Sequence, residues 1–193
     1  MKPIVLIGGV AGTGKTTISN LLLQKLKIDH KIGLGWIRET LCTLLNENDY
    51  PELYDYSYKT NDINNINKYY IFKQTEYHKS AIEACINRAN REGTSLIIEG
   101  VKLVPGIIET KHITNYFWLK MPSNIELHRK LLLGKTHINR IISQDDLLAI
   151  RKIGIHIENN YNHHHNIDFV DFLTQEKRVD YIINKINSTI KSN

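Results

Sequence analysis

The stretch Gly9-Val10-Ala11-Gly12-Thr13-Gly14-Lys15-Thr16 decides how this sequence is read. It follows the apolar run Ile4-Val5-Leu6-Ile7 and precedes an amphipathic segment from Ile18 to Leu26. Strand, glycine-rich turn and helix, in that order, are the context that the pattern GxxxxGK[ST] requires of a phosphate-binding loop. The glycines let the backbone curl so that several N–H groups face one anion. The helix then presents its N-terminus to the same anion. Within this loop Gly9, Gly12, Thr13, Gly14, Lys15, Thr16 and Thr17 are expected to cradle a nucleotide. Lys15 reaches the β- and γ-phosphates, and the Thr16 hydroxyl is the expected ligand of Mg2+.

Outward from the loop, the apolar pattern alternates between strands and helices. Strands are predicted at 3–8, 31–35, 95–100, 113–119 and 167–172. Helices are predicted at 15–27, 36–46, 66–92, 104–111, 122–133, 144–159 and 175–190. Such alternation implies an α/β fold of the P-loop NTPase type. The expectation is a three-layer sandwich with a mostly five-stranded parallel sheet in one domain over 1–193. Ligands of such sheets gather at the carboxyl ends of the strands. Residues 47–65 carry Pro51, several Asn and Asp, and Tyr50, Tyr54, Tyr56 and Tyr58. They read as an insertion on the acceptor side whose tyrosines line the loop. Residues 134–143 read as a small basic lid.

The chain has 193 residues, 41% hydrophobic and 23% charged, which suits one soluble domain with a substantial core. A net charge of +5 fits an anionic small-molecule substrate and fits nucleic acid less specifically. No apolar run approaches the ~20 residues of a membrane span, and Met1-Lys2-Pro3 leads directly into a strand. Cytoplasmic residence is the expectation, with Cys42 and Cys85 as reduced, buried thiols. His156 and His163-His164-His165 lack zinc spacing and read as polar turn residues.

Three further positions carry candidate chemistry. Glu99 ends an apolar strand, where its carboxylate either organises Mg2+-bound water and accepts a proton or caps a neighbouring helix. Arg38 lies early in its helix, suited to fork onto a phosphate or carboxylate, or to pair with Glu39. Arg129, Lys130, Lys135 and Arg140 surround a Gly-containing loop. Arginines there neutralise charge moving between phosphates, or they form a solvated face.

The segment Ile97-Ile98-Glu99-Gly100-Val101-Lys102-Leu103-Val104-Pro105-Gly106 resembles the IIEGVHLVPG segment of 2-phosphoglycerate kinases and their relatives. Ile32 to Glu39 resembles that family's strand-turn-helix ending in Ile-Arg-Glu. Leu127-His128-Arg129, then Arg140 and Ile150-Arg151-Lys152-Ile153, resemble its lid and following helix. The resemblance runs from Lys2 to about Ile190. It implies transfer of the γ-phosphoryl of ATP to the hydroxyl of 2-phosphoglycerate. Lys15 and Thr16 would then hold ATP and Mg2+, Arg38 and Lys102 the acceptor, and Arg129 and Arg140 would act from the lid. The chain departs from the family in having Gly35 where Asp is usual and Lys102 where His is usual, which leaves Glu99 as the acid for catalysis. Two other readings stay open: a nucleoside, nucleotide or polynucleotide 5′-kinase, and a nucleotide-binding protein without transferase activity.

Overall fold

The computed structural model describes residues 2–108, 112–134, 141–161 and 166–192. Five strands form one parallel sheet: β1 (Ile4–Gly8), β2 (His30–Gly33), β3 (Leu96–Glu99), β4 (Asn115–Leu119) and β5 (Asp168–Val170). Their spatial order is β2-β3-β1-β4-β5. The chain leaves central β1 towards one edge for β2 and β3, then crosses to the other for β4 and β5. The carboxyl end of β1 is therefore where the winding reverses, the position at which open parallel sheets bind ligands.

Alternation along each strand divides the core. Val5, Ile7, Ile97, Phe117 and Leu119 point to one face, where they meet Ile18 and Leu22 of α1 (Lys15–Lys25) and Val179, Ile182 and Ile186 of α7 (Gln175–Ser192). Ile4, Leu6, Leu96, Ile98 and Tyr116 point to the other face. There they meet Leu34 of α2 (Leu34–Leu44) and Ile82, Ile86 and Ala89 of α4 (Tyr70–Glu92). Trp118 of β4 packs with Val10, Leu132 of α5 (Ile125–Leu133) and Leu147, Ile150, Ile153 and Ile157 of α6 (Gln144–Tyr161). A strand buried on both faces needs a continuous apolar run, which is what β1 and β3 supply.

The expected 47–65 insertion holds one short helix, α3 (Pro51–Tyr54), and reaches the main body through polar ties. The Gln74 side-chain amide donates to the Glu52 and Asp55 carbonyls, and the Tyr77 hydroxyl donates to Glu52 at 3.1 Å. Tyr58 is buried, Tyr56 stacks on it with ring centroids 5.2 Å apart, and Tyr50 meets Tyr77 edge to face. The tyrosines thus line the loop.

Three boundaries differ from the sequence reading. The helix expected at 104–111 is absent over 104–108, which form turns. Gly106 there takes a left-handed φ of 80°, which a helix cannot continue through. The helix expected from residue 66 starts at Tyr70, after a 3-10 turn at Ile66–Lys68 in which the Asn65 side chain accepts the Asn67 N–H. Finally, α2 begins at Leu34, so Gly35 lies in its first turn and not in β2. Cys42 and Cys85 are free thiols, half-buried and not fully buried.

Gly8 is fixed by packing. A Cβ on it would lie 2.6 Å from Trp118 Cε3 and 2.8 Å from the Leu103 carbonyl oxygen. Because one obstacle is backbone, Gly8→Ala should destabilise the fold by about 1–3 kcal/mol, read as a lowered urea midpoint.

Candidate active site

The phosphate loop is built from positive φ and closed by side chains. Gly9, Gly12 and Gly14 have φ of 146°, 82° and 88°. A Cβ at Gly12 would lie 2.9 Å from the His128 ring, and one at Gly9 2.7 Å from the Leu119 carbonyl. A loop that turns its N–H groups inward must turn carbonyls outward, and buried carbonyls need donors. Each finds one. The Val10 carbonyl accepts from Thr13 Oγ1 at 3.0 Å and from Lys15 Nζ at 2.7 Å. The Ala11 carbonyl accepts from His128 Nε2 at 2.8 Å, and the Thr13 carbonyl accepts from Arg178 Nη1 at 2.7 Å. The Gly14 carbonyl accepts the Ile18 N–H at 2.9 Å and so opens α1.

Lys15 is 8% exposed and folds back along the loop. Its ammonium can swing from the Val10 carbonyl to an arriving phosphate. The Thr16 hydroxyl donates to Glu99 Oε1 at 3.0 Å. Alternation explains the contact. Glu99 stands two residues after Ile97, so it points to the face that α1 covers, and its register neighbours Ile7 and Gly33 bring it to the loop mouth. Glu99 is itself only 8% exposed. The residues fit ATP and Mg2+ on this structure: a glycine cradle that no Cβ could share, an ammonium beside it, and a hydroxyl paired with a carboxylate. Among the described residues no group of three or more His, Cys, Asp or Glu could hold a metal alone. That suits Mg2+, which takes few protein ligands and completes its shell with water and phosphate.

The residues expected to hold an acceptor, Arg38 and Lys102, lie between α2, α4 and the turn after β3. Arg38 donates through Nε to the Leu53 carbonyl at 2.5 Å and pairs with Glu39 at 3.1 Å. The ion pair left open by the sequence is present, and Arg38 is thereby fastened to α3. Lys102 is buried in the turn after β3. His78, fully buried on α4, has Nδ1 2.6 Å from the Gln74 carbonyl. Burial first, then the charges of Lys102 and Arg38, push its pKa down to about 4. A Cβ on Gly35 would meet nothing within 4 Å, so the missing acid is a difference of chemistry and not of space. Trp36, beside it, is 80% exposed.

On the lid side, Arg129 donates to Gln144 at 3.5 Å and lines a shallow recess with Glu126, Lys130, Leu133 and Gly134. Its neighbour His128, one helical step round α5, is the residue that meets the loop. Arg140, Lys135 and His163 to His165 lie outside the described residues. His156 sits on α6 against Phe72 and Asn160.

Of the residues that hold or brace the loop, His128 and Arg151 were visible only within a resemblance, and Arg178 was not singled out. Arg151 donates to the Pro122 and Ser123 carbonyls at 2.9 and 2.8 Å and lies 3.4 Å from His128 Nδ1. Burial, then the Arg151 and Lys15 charges, lower the His128 pKa, which keeps Nδ1 bare to accept. Arg178 shares the inward stripe of α7 with Ile182 and Ile186, and a cation at i of an apolar i, i+4, i+8 series was the available signal.

The fold and the loop geometry define a P-loop protein of the kinase type. No protein-family model matches the chain. The chain is 2-phosphoglycerate kinase-like in sequence. It is 35% identical over 149 residues to the 2-phosphoglycerate kinase of Methanocaldococcus jannaschii, across 72% of this chain and 48% of that protein. The 2-phosphoglycerate kinase of Methanothermobacter thermautotrophicus is 26% identical over 204 aligned residues, across 96% and 66%. The chain spans about half the length of most of the curated relatives it matches. Among solved structures, deoxyadenosine kinase from M. mycoides with dCMP and dCDP superposes with a TM-score of 0.56, over 96% of this chain and 99% of that one, at 17% identity. A gluconokinase from Sinorhizobium meliloti 1021 gives 0.52, over 98% and 94%, at 9% identity. These two likenesses concern the fold.

The buried histidines set an acid limit. His78 takes up its proton near pH 6.5 when unfolded and only near 4 when folded. The unfolded chain binds more protons between those values, so stability is full above pH 6.5 and falls as pH drops towards 4. The loss attributable to His78 is up to about 3 kcal/mol. His128 acts in the same sense. Denaturation midpoints at pH about 4.5 and 7.5 should differ less in His78→Leu than in the natural chain.

Proposed function

We propose that this chain is an ATP-dependent kinase domain that transfers the γ-phosphoryl group to a hydroxyl of a small anionic metabolite, of the 2-phosphoglycerate type. The observation that carries the reading is the Thr16–Glu99 contact of 3.0 Å at the mouth of a complete phosphate loop. The sequence likeness to 2-phosphoglycerate kinases supports the acceptor class. One kinase domain, with 134–143 as lid and 47–65 on the acceptor side, is part of this reading. So is residence in the cytoplasm; no described helix is long and apolar enough to cross a membrane.

In this mechanism the loop N–H groups and the N-terminus of α1 hold the β-phosphate, and Lys15 leaves the Val10 carbonyl for the β- and γ-phosphates. Thr16, with Glu99 behind it, would hold Mg2+, which when bound draws off charge from the β- and γ-oxygens. Glu99 also accepts the proton of the attacking hydroxyl, directly or through one water. Arg38 and Lys102 orient the anionic acceptor so that its hydroxyl lies in line with the bond to be broken. Arg129 and Arg140 stabilise the charge that spreads over the transferring group. A second reading, nucleotide binding without transfer, is favoured by Gly35, which leaves the acceptor side without the acid usual at that position.

Consumption of ATP with 2-phosphoglycerate, other hydroxy-acid phosphates, sugars and nucleosides tests the proposal. Intact ATP binding with no turnover on any acceptor would select the second reading. Lys15→Ala should lower turnover by ~10³ or more with the fold retained by circular dichroism. Near-normal turnover would refute the loop assignment. Glu99→Gln keeps the shape and removes the charge, and should lower kcat by about 10²-fold. Unchanged kcat would leave positioning and electrostatics as the whole of catalysis.

A further inference from the structure

Beside the phosphate loop Arg178 carries a buried cation that has no counter-charge among the described residues. It is 3% exposed. Nη1 donates to the Thr13 carbonyl at 2.7 Å, and Nη2 lies 3.2 Å from where a Cβ on Gly14 would stand. The guanidinium carbon lies 4.9 Å from the centre of the Phe172 ring, and Nε has no hydrogen-bond partner. Among the described residues no carboxylate lies within ion-pair distance of it. Burying a guanidinium without an anion is strongly unfavourable, and one neutral carbonyl does not offset it. A neutral amide could brace Thr13 equally well. The charge therefore calls for a reason of its own.

The geometry supplies one. The Thr13 carbonyl and the Gly14 N–H belong to the same peptide unit, and in a trans peptide the two point in opposite directions. A cation on the carbonyl side polarises the unit and strengthens the donor on the opposite side. In the phosphate-loop reading that donor faces the bound phosphate. We propose that Arg178 is a positioning residue for a polyphosphate chain: its buried charge fixes and polarises the Thr13–Gly14 peptide, and a bound polyphosphate is its missing counter-ion. This rests on the phosphate-loop part of the function proposed above and goes beyond it in naming a residue from the last helix. The ligand class is a nucleoside triphosphate or inorganic triphosphate, whose several negative charges would balance the guanidinium across that peptide. A monophosphate is not expected to gain from it.

The test is direct binding by the whole chain, by calorimetry, of inorganic triphosphate, ATP and AMP. The variants are Arg178→Gln, which keeps a donor without charge, and Arg178→Lys, which keeps charge without the planar fork. Arg178→Gln should weaken triphosphate and ATP by about tenfold or more, leave AMP unchanged, and melt without ligand at or above the temperature of the natural chain. Arg178→Lys should recover part of the lost affinity. Triphosphate binding by Arg178→Gln within twofold of the natural chain would overturn the proposal, as would a Lys variant no better than Gln. A lower melting temperature with unchanged affinity would make Arg178 a strut only. If the natural chain bound no triphosphate, or bound it as well after Lys15→Ala, the phosphate-loop reading would fall and this inference with it. That pattern is distinct from a failure at Arg178 alone.

Discussion

A loop that turns its N–H groups towards one point must turn its carbonyls away, and those carbonyls lie inside the protein. Most of the site follows from satisfying them. Val10, Ala11 and Thr13 receive donors from Lys15 and Thr13, from His128 and from Arg178. The donors come from the loop itself, from α1, from α5 and from α7. A short run of glycine-rich backbone would otherwise sample many shapes. Held at the Val10, Ala11 and Thr13 carbonyls, it keeps one, and its N–H groups are oriented before an anion arrives. Preorganised donors of this kind need no rearrangement when charge develops on the ligand, which is the main source of electrostatic catalysis.

The same ties join the loop to the segments that flank it in space. His128 lies on the helix that leads into the 134–143 segment, and Arg151 lies on the helix that leaves it. The base of the proposed lid is therefore anchored on the Ala11 carbonyl through His128. On the other side Glu99 closes the mouth by way of Thr16, and the turn after it carries Lys102 towards His78. The proposed acceptor side is assembled differently. Arg38 is fastened to α3 and Glu39, and Gly35 and Trp36 stand open beside it. The phosphate loop is held by hydrogen bonds from the helices around it, whereas the 47–65 segment is held by buried Leu53 and Tyr58 together with polar ties to α4. That division suits a class of proteins in which one nucleotide serves many acceptors.

The sequence by itself determined the sheet, the phosphate loop and the place of Glu99. Those readings rest on local rules. A buried parallel strand favours an unbroken apolar run, a left-handed turn favours glycine, and residues two apart in a strand share a face. The motif and its flanks satisfy all three within a few residues, so nothing distant was needed. The failures at 104–108 and 66–69 are also local, since Gly106 and Asn65 end or delay helices through backbone geometry that apolar spacing does not register. Only the tertiary structure decided which cations serve the loop. Arg129 and His128 are neighbours in sequence, yet a turn of about 100° round α5 sends one to Gln144 and the other to Ala11. Arg178 lies 165 positions from Thr13 and reaches it because α7 packs beside α1 on one face of the sheet. Sequence spacing does not encode contacts made across the sheet; they arise when burial brings distant helices to the same strand ends.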